Sequence, residues 1–323
     1  MKPSLVPSSD EVSVVMPVKD GLWSVEQSLP LLLNQDAPWE TEIIVIDSGS
    51  SDGTREFVLG LAEADARITM IGIEPGEFHH ARTRNLGATI ASGRFVVFLN
   101  GDAIPQGERW LAELVGPIAS GDSGPAASYG RQVVRADADV LSLCRMAYNY
   151  GPTPRLKDAG SALSARELYA FSTVACAVDT ARVSRPLFDE RFPVAEDVGL
   201  SKRIIDGGGR IAYVPGAVTS HHHQYGYIEI LRRYFDYSVI YERAAIFRVG
   251  TRVGGDGRRY LRTAAGILRH RPFGDTVRFA LFFAASGIGV QLGRWYRRLP
   301  RWVCRALTLY DTCAIGESDG LSR

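Results

Sequence analysis

The chain has 323 residues, 46% hydrophobic and 23% charged, with a net charge of +1, which is ordinary for a folded soluble protein with one large domain and an extension. No run of about 18 uncharged apolar residues is evident, so no transmembrane helix is predicted, and the Pro/Ser-rich residues 1–10 lack the apolar core of a signal peptide and are expected to be disordered. The four cysteines form no CxxC pair, which argues against a zinc site and favours reduced thiols in a cytoplasmic protein.

Strand and helix patterns alternate over the first 120 residues. Short β-rich or wholly apolar runs predict strands at residues 12–17, 42–47, 68–73 and 95–99. Helical spacing of apolar residues predicts helices around residues 25–33, 54–62 and 82–91. This alternation indicates right-handed βαβ units and a parallel sheet, that is, an α/β fold.

The remainder of the chain is less regular. Residues 120–170 are broken by Gly and Pro and give no clear pattern, whereas residues 197–206 predict a helix that three glycines end. Two short strands are predicted at residues 211–214 and 217–220, and the pattern is helical from residue 228 onward. We therefore predict one domain over residues 11–227 and a helical region over residues 228–323.

Polar residues follow three of the predicted strands, at residues 17–20, 47–53 and 100–102. Ligands of such sheets bind beyond the carboxyl ends of the strands. Asp102 offers a hard oxygen ligand for a divalent cation that bridges two phosphates, although an aspartate before Ile-Pro is also typical of a turn.

Two further motifs lie in the second half of the domain. Asp197, after Glu196 and before an apolar helix, is a candidate general base, although acids that stabilise a helix N-terminus are very common. Three histidines follow a predicted strand, and only His221 and His223 can share a face, where an imidazole could join a carboxylate on a metal. The alternative is a polar, partly exposed loop.

The loop over residues 47–54 could hydrogen-bond a nucleoside, or be an Asx-rich turn with a helix cap. Residues 82–85 open a helix where backbone N–H groups and a guanidinium can meet phosphate, or form a solvated basic turn. No Walker loop, no GxGxxG after the first strand and no Gly-x-Ser-x-Gly elbow is present.

Charge is distributed unevenly along the chain. Residues 231–310 hold 16 arginines, no lysine and four acidic residues, a net charge of +12 against −11 for the remainder. Arginines that alternate with Trp295, Tyr296 and Trp302 suit an interface with anionic lipid, unless this run packs on the preceding domain. No nucleic-acid-binding motif is recognisable, so no nucleic acid is expected as a partner.

Taken in order, eight motifs between about residue 12 and about residue 245 resemble those of glycosyltransferase family 2, and above all its bacterial rhamnosyltransferase-like branch. They are VMPVKD (15–20), EIIVIDSGSSDGT (42–54), FHHARTRN (78–85), DAIP (102–105), GRQ (130–132), Glu196-Asp197, the pair His221 and His223, and RYFD (233–236). The resemblance implies the GT-A fold, a Rossmann-like, mostly parallel sheet flanked by helices, here with an Arg-rich helical C-terminal extension.

The resemblance also implies roles for single residues. Pro17, Val18 and Asp20 would line the nucleoside pocket, Asp47 and Ser48 would contact the nucleoside, and Arg84 would lie near the base or the diphosphate. Asn100, Gly101 and Asp102 stand at the Asp-x-Asp signature, whose first acid is here an amide. Asp102 and His221, with His223 as the alternative, would bind Mg²⁺ or Mn²⁺, and Asp197 would be the catalytic base.

The implied reaction is metal-dependent, inverting transfer of a sugar, with rhamnose expected. The donor would be linked to deoxythymidine diphosphate or, next, uridine diphosphate, and the acceptor would be a hydroxyl of a glycan or a polyprenyl-linked glycan. Such an enzyme would be cytoplasmic and peripheral on the inner face of the plasma membrane. Two alternatives stay open, a sugar-phosphate nucleotidyltransferase and a non-catalytic sugar-nucleotide-binding protein. The first would need a Gly-rich basic loop after the first strand, which residues 17–21 resemble poorly.

Overall fold

The computed structural model describes residues 8–121, 123–135, 138–221, 223–246, 254–310 and 312–313. Within these ranges the centre of the molecule is one nine-stranded sheet. Its strands are β1 Ser8–Val18, β2 Glu40–Asp47, β3 Ile68–Gly72, β4 Gly93–Leu99, β5 Ile104–Pro105, β6 Ala127–Val133, β7 Arg155–Lys157, β8 Ala175–Asp179 and β9 Ile211–Ser220.

Eleven α-helices lie in the same ranges and pack on both faces of the sheet or follow it. They are α1 Leu22–Leu33, α2 Thr54–Ala64, α3 His80–Ile90, α4 Trp110–Ala119, α5 Val140–Asn149, α6 Ala165–Tyr169, α7 Glu196–Asp206, α8 Tyr227–Arg243, α9 Gly254–Leu268, α10 Phe273–Arg294 and α11 Arg301–Leu307. Single 3₁₀ turns occur at Pro75–Glu77 and Tyr296–Arg298.

The first half of the sheet follows directly from the apolar runs. Strand order is β3-β2-β1-β4-β8-β6-β9-β5, with β7 also paired to β9, and β1 to β4 are parallel to one another. Side chains of β1 alternate between two buried cores, since Val14 and Met16 pack with α1 and α4, whereas Val15 packs with α3. Burial on both faces explains why these strands are wholly apolar.

The second half of the sheet is formed by a later part of the chain. β8 is antiparallel to β4 and β6, whereas β9 is parallel to β6, with an irregular register between Gly130 and Arg131. β5 is antiparallel to β9, with Ile104 opposite Ser220. This short pairing positions the loop after β4 beside the loop after β9.

The helices α8 and α10 pack closely in the C-terminal region. A Cβ on Gly293 would lie 2.5 Å from the carbonyl oxygen of Phe235 and 2.6 Å from Cβ of Ser238, so only glycine permits this approach. The opposite face of α10 is apolar and exposed at Phe273, Leu281 and Ile288. α10 thus packs against α8 on one face and exposes apolar side chains on the other.

The structure differs from several of the predictions made from the sequence. Among the described residues α10 is long and apolar enough to cross a membrane by length and composition, although only 15 uncharged residues lie between Arg278 and Arg294. The criterion of 18 uncharged residues therefore failed to identify this candidate. Residues 8–10 belong to β1, while residues 1–7 of the predicted disordered N-terminus lie outside the described ranges. The two strands predicted over residues 211–220 form one continuous strand.

Candidate functional site

Three metal-ligand side chains converge where the loops after β4 and β9 meet. His221 Nε2 lies 3.4 Å from Oδ1 of Asp102, and His223 Nε2 lies 3.1 Å from its Oδ2. One ligand atom from each residue falls within 4.8 Å of the other two. The sequence proposed His221 or His223 as a ligand, whereas the structure brings both to Asp102; His222, between them, lies outside the described residues.

The donor set fits a divalent cation. Nε2 of His221 is buried and has no hydrogen-bond partner among the described residues, yet it faces a carboxylate oxygen. In an octahedral site with metal–ligand bonds near 2.1 Å, neighbouring ligand atoms lie about 3 Å apart. The observed separations of 3.1 and 3.4 Å are close to that distance.

The acid pair opens α7. Its N-cap is Ala195, which has a left-handed φ of 61° and makes no side-chain cap hydrogen bond. The Asp197 carboxylate accepts a 2.7 Å hydrogen bond from the backbone N–H of Val198, so it also stabilises the first turn of the helix. Asp197 is half-buried, and burial together with the charge of Glu196 raises its pKa from 3.8 to about 7. A carboxylate with this pKa can accept a proton near neutral pH.

Arg84 joins the acid pair to the loop that carries Asp102. Its guanidinium is buried and donates from Nη1 to Glu196 Oε1 at 3.1 Å and from Nη2 to Asn100 Oδ1 at 2.7 Å. Thr173 donates to the same Glu196 oxygen at 3.3 Å. The predicted position of Arg84 near a base or diphosphate stays a prediction, because most of its donors are directed at protein groups.

The loops after β1 and β2 form a fixed wall beside these groups. Asp20 accepts a 2.8 Å hydrogen bond from the backbone N–H of Ser51, and its own N–H donates to Ser50 Oγ. Asp47 and Ser48 are buried, and the backbone N–H of Ser48 donates to the carbonyl of Val18 at 3.0 Å. Their roles toward a nucleoside stay predictions.

Gly101 is required by a close approach of strand ends. Its N–H donates to the carbonyl of Pro17 at 3.0 Å, and a Cβ at this position would lie 2.9 Å from that oxygen and 2.8 Å from Cγ2 of Val18. Gly101 therefore lets the loop after β1 lie against the loop that carries Asp102, a steric role that its place in the motif alone did not specify.

Sequence reasoning missed the polar groups that surround the ligands. Gln132 lies behind His221 and contacts its Nδ1 at 3.1 Å. The ring of Tyr225 contacts the guanidinium groups of Arg145 and Arg233, which lie 4.7 and 4.3 Å from its centroid. The GRQ motif was the only signal for Gln132, and no role could be attached to it without knowledge of the strand pairing.

Comparison with known proteins identifies the family. The sequence profile described as Glycosyl transferase family 2 matches residues 13–156. The O-antigen chain rhamnosyltransferase WbaN of Salmonella anatum is 31% identical over 277 residues, 84% of this chain and 85% of that protein. The O-antigen chain rhamnosyltransferase RfbN of Salmonella typhimurium is 30% identical over 289 residues, 87% of this chain and 88% of that protein.

A solved structure agrees with the sequence relatives. The mannosyltransferase PcManGT from Pyrobaculum calidifontis, in complex with GDP-Man and Mn2+, matches with a TM-score of 0.55 and 19% identity, covering 95% of this chain and 88% of that chain. This likeness confirms the predicted GT-A fold. With two relatives at 30% identity or more across most of their length, the chain belongs to glycosyltransferase family 2 and is an enzyme of its bacterial rhamnosyltransferase-like branch.

Proposed function

We propose that this glycosyltransferase transfers rhamnose, with inversion, from a nucleoside-diphosphate donor to a hydroxyl of a polyprenyl-linked O-antigen-type glycan. The names of the two Salmonella relatives support the sugar and the acceptor class. The observation that carries the proposal is the convergence of Asp102, His221 and His223 within 4.8 Å of one another. Deoxythymidine diphosphate is the proposed nucleotide, with uridine diphosphate as the second choice.

Asp102, His221 and His223 would hold a divalent cation, which when bound neutralises charge on the leaving diphosphate. Two imidazoles beside one carboxylate favour Mn²⁺ over Mg²⁺, because Mg²⁺ prefers oxygen ligands. The Mn2+ in the complex of the archaeal mannosyltransferase supports this choice. Both Asp102 and His223 are exposed, which leaves the site open to a phosphate-bearing ligand.

Asp197 would take the proton from the acceptor hydroxyl as that oxygen attacks the anomeric carbon from the face opposite the diphosphate. Its raised pKa of about 7 supports this role, since the carboxylate is a stronger base than usual and about half of it is still unprotonated at pH 7. Arg84 would keep the base and the diphosphate loop in a fixed relation through Glu196 and Asn100.

The C-terminal region would bring the enzyme to its acceptor. The apolar outer face of α10 and the surplus of arginines support contact with an anionic membrane surface, with Trp302 74% exposed nearby in the chain. We assign catalysis to residues 11–227 and membrane contact to residues 228–323, in a peripheral enzyme on the cytoplasmic face of the plasma membrane.

A thermal-shift experiment tests the donor and the metal together. We expect deoxythymidine diphosphate rhamnose to raise the Tm only when Mn²⁺ is present, by several degrees at a hundred times its Kd, equivalent to about 2.7 kcal/mol. Asp102→Ala should abolish this shift, whereas Glu108→Ala, which removes an exposed acid before α4, should leave it unchanged. Transfer at an undiminished rate in the presence of EDTA would contradict the metal role.

A further inference from the structure

We propose that Gln132 is a positioning residue that holds His221 in the tautomer whose Nε2 lone pair faces Asp102. This inference rests on the proposed metal role of His221, and it assigns a function to a buried side chain that touches neither substrate nor metal.

The strand pairing between β6 and β9 brings the two side chains together. Gln132 lies opposite Thr219 in the register, and His221 comes two residues later, so both side chains point to the same face of the sheet. Both are buried, and the amide of Gln132 contacts Nδ1 of His221 through Oε1 at 3.1 Å. The backbone N–H of His221 donates to the carbonyl of Val133 at 3.0 Å, which holds the backbone of His221 beside the end of β6.

In the structure the nitrogen of the Gln132 amide faces two hydroxyl groups. Nε2 of Gln132 donates to the phenol oxygen of Tyr150 at 2.6 Å and to Oγ of Ser172 at 2.8 Å. With both amide hydrogens directed there, Oε1 is left to accept from Nδ1–H of His221. A hydrogen on Nδ1 leaves the lone pair on Nε2.

The opposite orientation of the amide is disfavoured by the surroundings of Nε2. If the amide nitrogen faced Nδ1, the hydrogen of the neutral imidazole would be on Nε2. Nε2 is buried and makes no hydrogen bond of acceptable geometry with any described residue, its distance to Asp102 being 3.4 Å. An Nε2–H poorly aligned with the neighbouring Asp102 carboxylate gains little from it, whereas an Nε2 lone pair can join that carboxylate on a cation.

The tautomer can be measured without metal, donor or turnover. Long-range ¹H–¹⁵N correlation spectra of the metal-free protein at about pH 8 distinguish Nδ1–H from Nε2–H imidazoles, and His221→Asn identifies the His221 signals. We expect the Nδ1–H form in the unmutated protein and the Nε2–H form in Gln132→Met, which has similar volume but no acceptor. The Nε2–H form in the unmutated protein, or the same form in both proteins, would overturn the inference.

Metal affinity gives the second readout. Mn²⁺ titration should give a Kd about 10–100-fold weaker for Gln132→Met than for the unmutated protein, the usual effect of losing a group that orients a metal-binding histidine. Gln132→Glu keeps an acceptor for Nδ1–H and should bind within about threefold of the unmutated protein, which also shows that the position tolerates substitution.

The two hypotheses fail in different ways. Equal Mn²⁺ affinity of Gln132→Met and the unmutated protein would overturn the role of Gln132 and leave the metal site intact. Absence of Mn²⁺ binding by the unmutated protein would overturn the metal role, and with it the purpose assigned to Gln132, even if the spectra show the Nδ1–H form.

Discussion

We call the place where the loops after β4 and β9 meet the sheet edge. The sheet edge and the α8–α10 pair are held together by different interactions. At the sheet edge, buried polar groups such as Arg84 and Gln132 each make several hydrogen bonds to strand ends and loops. Between α8 and α10, glycine lets two backbones approach, and the Ser238 hydroxyl donates across the contact to the carbonyl of Val290 at 3.0 Å. We therefore expect substitutions at the edge to change chemistry more than stability, and substitutions in the helix pair to do the reverse.

The largest expected effect is on turnover. Asp197→Asn should lower the transfer rate by about 10³-fold, within the range for loss of a general base, while donor binding is retained. Asp206→Asn, at the other end of α7, is the matched control and should keep near-normal activity. Rates and donor Kd values measured side by side check this, and a variant with more than a few per cent of normal activity would remove Asp197 from the role of base.

The second effect tests the helix pair through stability. Gly293→Ala would force Cβ against Phe235 and Ser238, so we expect it to lower the free energy of unfolding by about 1–3 kcal/mol. Gly287→Ala is the matched control on the outer face of the same helix, where a Cβ meets nothing within 4 Å. It should be neutral or stabilise by up to about 1 kcal/mol. Denaturant titration distinguishes the two, and equal effects would mean that α8 and α10 do not pack this closely.

The third effect concerns the outer face of α10. The double substitution Leu281→Glu with Ile288→Glu should weaken sedimentation with anionic vesicles by about tenfold or more, because it places two charges among the apolar groups that would enter the lipid interface. Both side chains are about half exposed, so the fold should persist. Leu59→Glu on α2 is the control. Unchanged vesicle binding of the double variant would move the contact elsewhere.

The smallest effect is a pH dependence of both turnover and stability, and both arise at Asp197. Burial and the charge of Glu196 raise the pKa of Asp197 to about 7, and Arg84 opposes this. Because the base must be unprotonated, the rate should be half-maximal at about pH 7 and fall about tenfold per unit below it. A half-maximal rate near pH 4 would contradict the raised pKa.

The raised pKa of Asp197 also makes the stability of the protein depend on pH. Between about pH 4 and pH 7 the native state keeps a proton on Asp197 that the unfolded chain has lost, so this group reduces stability as pH rises through that window. Asp197→Asn removes the penalty. The Tm of the variant relative to the unmutated protein should therefore increase from pH 4 to pH 8, by the equivalent of at most about 4 kcal/mol, since each pKa unit corresponds to about 1.4 kcal/mol.

The first half of the fold was predictable because its strands are apolar on both faces. The predicted strand at residues 95–99 lies within β4, and the predicted strand at 42–47 lies within β2. Residues 120–170 could not be interpreted because β6, β7 and two short helices there are separated by Gly and Pro, and their pairing partners β8 and β9 lie later in the chain. Local sequence does not specify such a register.

The candidate site was predictable in its residue types but not in its contacts. The order of motifs named Asp102, His221 and Asp197, and the structure brings Asp102 and His221 together. That Arg84 bridges Asn100 and Glu196, or that Gln132 contacts His221, depends on side chains 16 to 112 residues apart in sequence. No spacing rule relates such positions, so these contacts required coordinates.

The pairing of Ile104 with Ser220 has a mechanical consequence for the enzyme. Ile104 lies two residues after Asp102, and Ser220 lies one residue before His221. The loops that carry these two side chains therefore cannot separate without breaking the hydrogen bonds between β5 and β9. Local opening at this edge would be cooperative: both loops would lose their order in one event, and a ligand that bridges them would suppress that event as a whole.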